Sequence, residues 1–161
     1  MLIMHRRPPH FAFGSYAEVF FTPDGRATKV FRRIQEVQEA QVKKVFESEV
    51  NAYELAQSSD DIRNLVPKFY GRVIVGQVLD ANNNDISGNY YLDSAYQMER
   101  IHGLFVKVGG IPTSIRTNLI QRFKAAGIGY LDDACVVVSE ETVSCVIDFA
   151  TEEFEVWGQP L

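Results

Sequence analysis

The chain reads as an α+β fold built largely from antiparallel sheet. Three observations predict it. Residues 34–58 contain neither Pro nor Gly and are rich in Gln, Glu, Lys and Ala, the composition of a long helix. A second helical stretch opens at Pro112-Thr113-Ser114 and runs to about Ala126, where Gly127 and Gly129 end it. The apolar segments between them are short and come in pairs around turn sequences, which gives the order β-β-α-β-β-α-β-β rather than a strict βαβ alternation.

The elements follow in order. Residues 11–21 are strand-like, and Thr22-Pro23-Asp24-Gly25 is a strong turn signal that sends the chain back as a strand over 26–32. After the long helix, Pro67 and Gly71 punctuate the approach to a second hairpin. Its strands are 72–80 and 89–98, joined by the loop containing Asn82-Asn83-Asn84-Asp85. Residues 99–110 are mixed and hold Gly103, Gly109 and Gly110. Strands at 135–138 and 143–147 make a last hairpin around Ser139-Glu140-Glu141-Thr142. Residues 1–10 are expected to be a flexible N-terminus, and 11–161 one domain.

Composition narrows the function. At 161 residues the chain has length for one substantial core. Hydrophobic residues at 46% and charged residues at 23% are those of a globular protein, not a disordered one. A net charge of −5 argues against general attraction to nucleic acid or anionic membrane, and Arg6, Arg7, Lys29, Arg32 and Arg33 are too scattered to form a basic footprint. The first ten residues lack the apolar core of a secretory signal, and nowhere do eighteen apolar residues run together, so no membrane span is expected. If Val138 pairs with Val143, Cys145 faces Val136 and Cys135 points to the other side. A disulfide is therefore not expected, and a reducing compartment fits.

Four places carry chemistry. The apolar run ending at Ile147 leads straight into Asp148-Phe149, presenting a carboxylate just past a strand end, where it serves either as a metal ligand or as a turn former. On the long helix Val42, Phe46, Glu49, Tyr53 and Ala56 share one face, so Glu49 sits within an apolar stripe while Glu47, Asn51 and Glu54 fall on the polar side. A carboxylate there either finds a cationic partner or reaches water from the edge of the stripe. Lys29, in Ala27-Thr28-Lys29-Val30-Phe31, either lies on a solvent face or is that partner. The small residues around Gly14, in Phe13-Gly14-Ser15-Tyr16-Ala17-Glu18-Val19, permit close backbone approach to a phosphate or make a plain bulge.

Taken in order, these residues resemble the protein-kinase-like fold across nearly the whole chain. Ala12 to Val19 looks like a degenerate Gly-rich loop, with one of three glycines present. Lys29 resembles the third-strand Lys, and Glu49 its partner on the αC helix. Leu65-Val66-Pro67-Lys68-Phe69-Tyr70-Gly71 resembles the entry to the fourth strand. Tyr96 to Gly103 looks like the end of the fifth strand and the adenine-holding hinge. Asp148-Phe149-Ala150 resembles the metal-binding Asp-Phe-Gly motif with Ala in place of Gly.

The catalytic loop departs from the family. Counting back from Asp148 without gaps puts Tyr130 at the catalytic Asp and Cys135 at the metal-binding Asn. Anchoring on Gly127-Ile128 instead selects Asp132, with Asp133 beside it. Neither alignment supplies an Asn. Only residues 149–161 follow the Asp, which resembles the minimal kinases among bacterial type III secreted effectors.

The resemblance implies an antiparallel N-lobe over about 11–100 with an αC-type helix, and a strongly reduced C-lobe over about 101–161. It implies ATP and Mg²⁺ as cofactors. Gly14, Ser15, Tyr16, Val19, Lys29, Met98 and Arg100 would hold the nucleotide, Asp148 and Asp133 the metal. Asp132, Lys29 and Glu49 would act in transfer of the γ-phosphate to a hydroxyl, on a protein substrate or partner. The alternative is an inactive pseudokinase that binds nucleotide or protein. The setting would be the cytoplasm, or a host cytosol reached by secretion. His5, His10 and His102 lack metal-ligand spacing with the cysteines, and no Gly-x-Ser-x-Gly supports hydrolase chemistry.

Overall fold

A computed structural model of the chain describes residues 1–7, 11–13, 16–131, 134–139 and 142–152. Strands and helices combine into an α+β architecture with antiparallel sheets, and the chain divides into two compact units. The first comprises Met1–Phe46 and Tyr70–Arg100, the second Glu47–Phe69 and residues 101–152. The helix read from 34–58 thus contributes its opening turns to one unit and its remainder to the other.

In the first unit the expected strand over 11–21 is two strands, β2 (Phe11–Phe13) and β3 (Ala17–Phe21), paired antiparallel with Phe13 opposite Glu18. The Thr22-Pro23-Asp24-Gly25 turn forms as expected. Gly25 takes φ +79°, and the Asp24 carboxylate accepts from the Arg26 N–H (3.2 Å). It returns the chain as β4 (Arg26–Arg32), which pairs with β3 on one side and with β7 (Tyr90–Glu99) on the other. β5 (Phe69–Val73) completes the order β2-β3-β4-β7-β5.

The second hairpin differs from its expectation. After Val73 the chain leaves the sheet, and β6 (Gln77–Leu79) pairs in parallel with β1 (Ile3–His5), a strand inside the segment read as flexible. The cause is burial. Met4 and Val78 enter a core with Phe20, Val30, Val75, Tyr90 and Ala95, so the N-terminal residues gain more from packing than from solvent.

Helix α1 (Glu39–Ser58) begins five residues after Ile34, because Ile34 and Val37 bury themselves in a turn with Glu36 at φ +65°. Its predicted stripe holds: Val42, Phe46, Glu49, Tyr53 and Ala56 are all buried, while Glu47, Asn51 and Glu54 are exposed.

In the second unit α2 (Thr113–Ala125) starts behind Pro112 as expected. The last hairpin is β9 (Cys135–Ser139) with β10 (Thr142–Ile147), and β8 (Phe105–Lys107) adds to β9 as an edge strand the sequence did not reveal. Val138 pairs with Val143, but the register slips between Val143 and Cys145. Cys145 therefore lies opposite Val137, not Val136, and Cys135 opposite Ile147. The extra residue is a β-bulge, which resets which side chains share a face. The two cysteines are still not cross-strand partners, and Cys145 is buried and outside any disulfide. The core of this unit is aromatic: Tyr53 meets Phe69 (5.3 Å between ring centroids) and Phe149 (4.4 Å), and Phe149 meets Phe123 (5.5 Å) edge-on. Arg122 on α2 reaches Asp61 with Nε and Nη2 (2.9–3.2 Å). Among the described residues no helix is long and apolar enough to cross a membrane.

Candidate functional site

In the first unit, pairing register decides which side chains share a face. Val19 lies opposite Lys29 and Lys29 opposite Tyr96. Phe21, Ala27 and Met98 form the next rank in the same way. Cross-strand partners point to one side of a sheet, so Val19, Lys29 and Met98 stand together, with Ala27 between them on the strand. Lys29 is 8% exposed and does not lie on a solvent face. Its Nζ sits 5.7 Å from the Phe31 ring centroid, and Phe31 packs on Phe46 (5.4 Å) and Tyr96 (6.4 Å). An ammonium kept on a mostly apolar face is a fixed positive charge with little competing water, which suits an anionic ligand.

Two more expected residues flank this face. Tyr16 is buried, and its carbonyl accepts the Arg32 N–H (3.1 Å), fixing the entry to β3. Arg100 ends β7. Its amide donates to the Gly25 carbonyl (3.0 Å) and its guanidinium lies 4.2 Å over Phe21, so it borders the hairpin end of the same face. Gly14 and Ser15 lie outside the described residues, as do Asp132 and Asp133.

In the second unit the Glu49 and Asp148 carboxylates both act on one buried phenol, that of Tyr53. Glu49 is 7% exposed, so it does not reach water from the edge of the stripe. Asp148 takes φ +62° immediately after β10, a left-handed conformation that few residues adopt and Asp tolerates. Tyr53 is fully buried and feels both carboxylates. Burial pushes its phenol well above the usual range, and the Asp148 and Glu49 carboxylates push the same way. Such a Tyr remains a neutral phenol at any working pH.

The backbone beyond Asp148 is held on two sides. Tyr130 and Ala150 exchange both amide hydrogen bonds (3.0 and 3.1 Å), and the Gly129 N–H donates to the Thr151 carbonyl (3.2 Å). A Cβ on Gly129 would lie 2.8 Å from that carbonyl oxygen, so this approach requires glycine. The strip from Asp148 is thereby tied to the segment entering Leu131, whose carbonyl accepts from the Ala134 N–H (3.1 Å).

Sequence reasoning missed one cluster entirely. Glu18, 2% exposed, receives Tyr90 Oη–H (2.9 Å) on Oε2, Arg32 Nη1 at 3.4 Å from Oε1, and Arg6 Nε at 3.5 Å from Oε2. It faces away from Lys29, because it neighbours Val19 on the strand. The signal lay in the alternation Glu18, Phe20 on β3 and Val30, Arg32 on β4, two opposite charges on one otherwise apolar face. This cluster fastens the N-terminal segment to the sheet and belongs to folding.

Chemically the two units offer different things. The first offers a cation on an apolar face. The second offers a carboxylate, Asp148, at a left-handed turn. Among the described residues no three His, Cys, Asp or Glu side chains are grouped to hold a metal by themselves. A single carboxylate still fits Mg²⁺, which is ordinarily held by one or two carboxylates together with phosphate oxygens and water. Compared with known protein families and with curated protein sequences, the chain matches none.

Proposed function

We propose that this chain is an ATP-dependent phosphotransferase of the protein-kinase-like class, moving the γ-phosphoryl group to a hydroxyl, on a protein partner. The observation that carries the reading is that Val19, Lys29 and Met98 share one sheet face, in two adjacent ranks. Taken in chain order, the five strands of this sheet put Lys29 on the third and Met98 on the fifth, with the Glu49 helix inserted between the third and fourth. That order fits the kinase-like arrangement.

In this reading the face of Val19, Ala27 and Met98 takes the adenine, with Arg100 at its border. Gly14, Ser15 and Tyr16 contribute to holding the phosphates. Lys29 neutralises the α/β phosphates, Glu49 acts with it in the transfer, and Asp148 holds the ion, helped by Asp133. Mg²⁺, when bound, draws charge from the phosphate oxygens. Asp132 accepts the proton of the attacking hydroxyl as its oxygen bonds to γ-phosphorus and the bond to the ADP oxygen breaks. Little covalent chemistry is asked of the protein; positioning and charge stabilisation supply the rate. A cytosol, the cell's own or a host's, supplies such a site with Mg·ATP.

A second reading has a specific observation behind it. Neither alignment of the loop provides an Asn, which favours a domain that binds nucleotide without transferring phosphate. One experiment separates the two: incubation of the purified chain with γ-labelled ATP, Mg²⁺ and a protein mixture, beside a thermal-shift titration with Mg·ATP. Transfer that Lys29→Ala and Asp148→Ala each reduce by at least about a hundredfold in folded protein supports the enzyme. A thermal shift without transfer supports the binding module, and neither signal refutes both.

A further inference from the structure

Helix α1 carries a clamp for the strip that follows Asp148. Ser48 Oγ lies 3.1 Å from the Thr151 amide nitrogen, 3.4 Å from that of Glu152 and 2.7 Å from Thr151 Oγ1. A serine hydroxyl has two lone pairs and one proton. The two amides take the lone pairs, so the proton goes to Thr151 Oγ1, and the capacity of Ser48 is used in full. Ser48 is itself buried, and sits one residue before Glu49. Further along the helix, the Tyr53 ring packs against Phe149 at a tilt, with 4.4 Å between centroids. On the opposite edge, Gly129 and Tyr130 grip Thr151 and Ala150.

A strip held from both sides has little freedom to swing Asp148 out of its left-handed turn. Ordinary packing accounts for the aromatic contact. It does not account for a buried helix serine whose three hydrogen-bonding capacities all go to residues 151–152. In a helix interior, serine more often bonds back to its own helix carbonyl.

We propose that Ser48 is a positioning residue for Asp148, holding strip 148–152 against the Glu49 helix so that the carboxylate stands ready for a nucleotide-bound Mg²⁺ without any modification of the strip. This rests on the reading of Asp148 given above. Ser48 itself touches neither nucleotide nor ion; it acts through the backbone of residues 151 and 152.

The test compares full-length wild type, Ser48→Ala and Ser48→Thr by amide hydrogen exchange and by titration with ATP in the presence and absence of Mg²⁺. Ser48→Ala removes one hydroxyl and keeps a good helix former. Loss of the oxygen that accepts from two amides is expected to speed exchange at Thr151 and Glu152 by about tenfold, and to weaken ATP binding with Mg²⁺ about tenfold. Exchange within α1 and ATP binding without Mg²⁺ stay as in wild type. Ser48→Thr, which keeps the oxygen, restores both. A merely structural serine would weaken the two binding modes equally, and that result overturns the proposal, as does unchanged exchange at residues 151 and 152. Wild type that binds ATP equally with and without Mg²⁺ overturns the underlying reading, and the positioning role with it. Wild type that shows the dependence, with Ser48→Ala keeping it in full, overturns this inference alone.

Discussion

Replacing Glu18 by Leu tests how the sheet is held to the N-terminal strand. The carboxylate is buried against Arg32, which is itself buried, with 3.4 Å between Oε1 and Nη1. At an effective dielectric of ~20 the Coulomb attraction at that distance is about 5 kcal/mol. Removing both ions from water costs several kcal/mol each, so the intact pair contributes little net stability. Deleting one partner is another matter. Burial already lowers the Arg32 pKa, and Glu18 is the first influence opposing that shift. Without Glu18 the guanidinium is a buried charge lacking its counter-ion, and Tyr90 Oη loses its acceptor.

The expected cost of Glu18→Leu is about 3–5 kcal/mol, a large part of the ~5–15 kcal/mol that holds a domain together. Adding Arg32→Leu and Tyr90→Phe removes the stranded groups, so the triple variant should be more stable than the single. Urea unfolding followed by circular dichroism measures both. A single variant that loses under about 1 kcal/mol, or a triple that loses the sum of its parts, refutes the reasoning.

Three further predictions concern the second unit. Phe149→Ala opens a cavity between Tyr53 and Phe123 and should cost about 3–5 kcal/mol in urea unfolding; a cost under 1 kcal/mol would mean the aromatic core is not packed as described. Gly129→Ala drives a methyl to 2.8 Å from the Thr151 carbonyl oxygen and should cost about 1–3 kcal/mol, with faster amide exchange at Tyr130 and Ala150; unchanged exchange there would contradict the bridge. Hydrogen bonds from Arg122 hold the Asp61 carboxyl below its usual pKa of 3.8. A depressed folded-state pKa contributes stability above the unfolded pKa and loses it as pH falls through the folded value. Wild type should therefore exceed Asp61→Asn in stability near pH 6, and the gap should close as pH drops below about 3.8. A gap that persists in acid would show that the Asp61–Arg122 contact is not ionic.

What could be read from the sequence was whatever local chemistry decides. The Thr22-Pro23-Asp24-Gly25 turn formed because Pro and Gly set its dihedrals and Asp24 bonds its own backbone. The stripe through Glu49 and Tyr53 followed from helical periodicity alone, and with it the burial of a carboxylate. What escaped depended on distant partners. β1 and β6 are three residues each and owe their pairing to Met4 and Val78 sharing a core with Phe20 and Val30, a contact no local pattern announces. β8 is as short, and mixed in composition. The bulge beside Cys145 moved one residue and with it the facing of every side chain beyond. Glu18 was hidden for a related reason: a buried carboxylate is recognisable only once its cations are known, and Arg32 and Tyr90 lie on other strands. Ser48 carried no signal, since a lone serine within a helix has no pattern of its own.

The most direct measurement is transfer of labelled γ-phosphate from Mg·ATP by the purified chain, wild type beside Asp148→Ala, each shown to be folded. Wild type is expected to incorporate label into itself or an added protein, and the variant to lose this. Wild type that transfers no label, or Asp148→Ala that transfers as much as wild type, contradicts the proposed phosphoryl transfer.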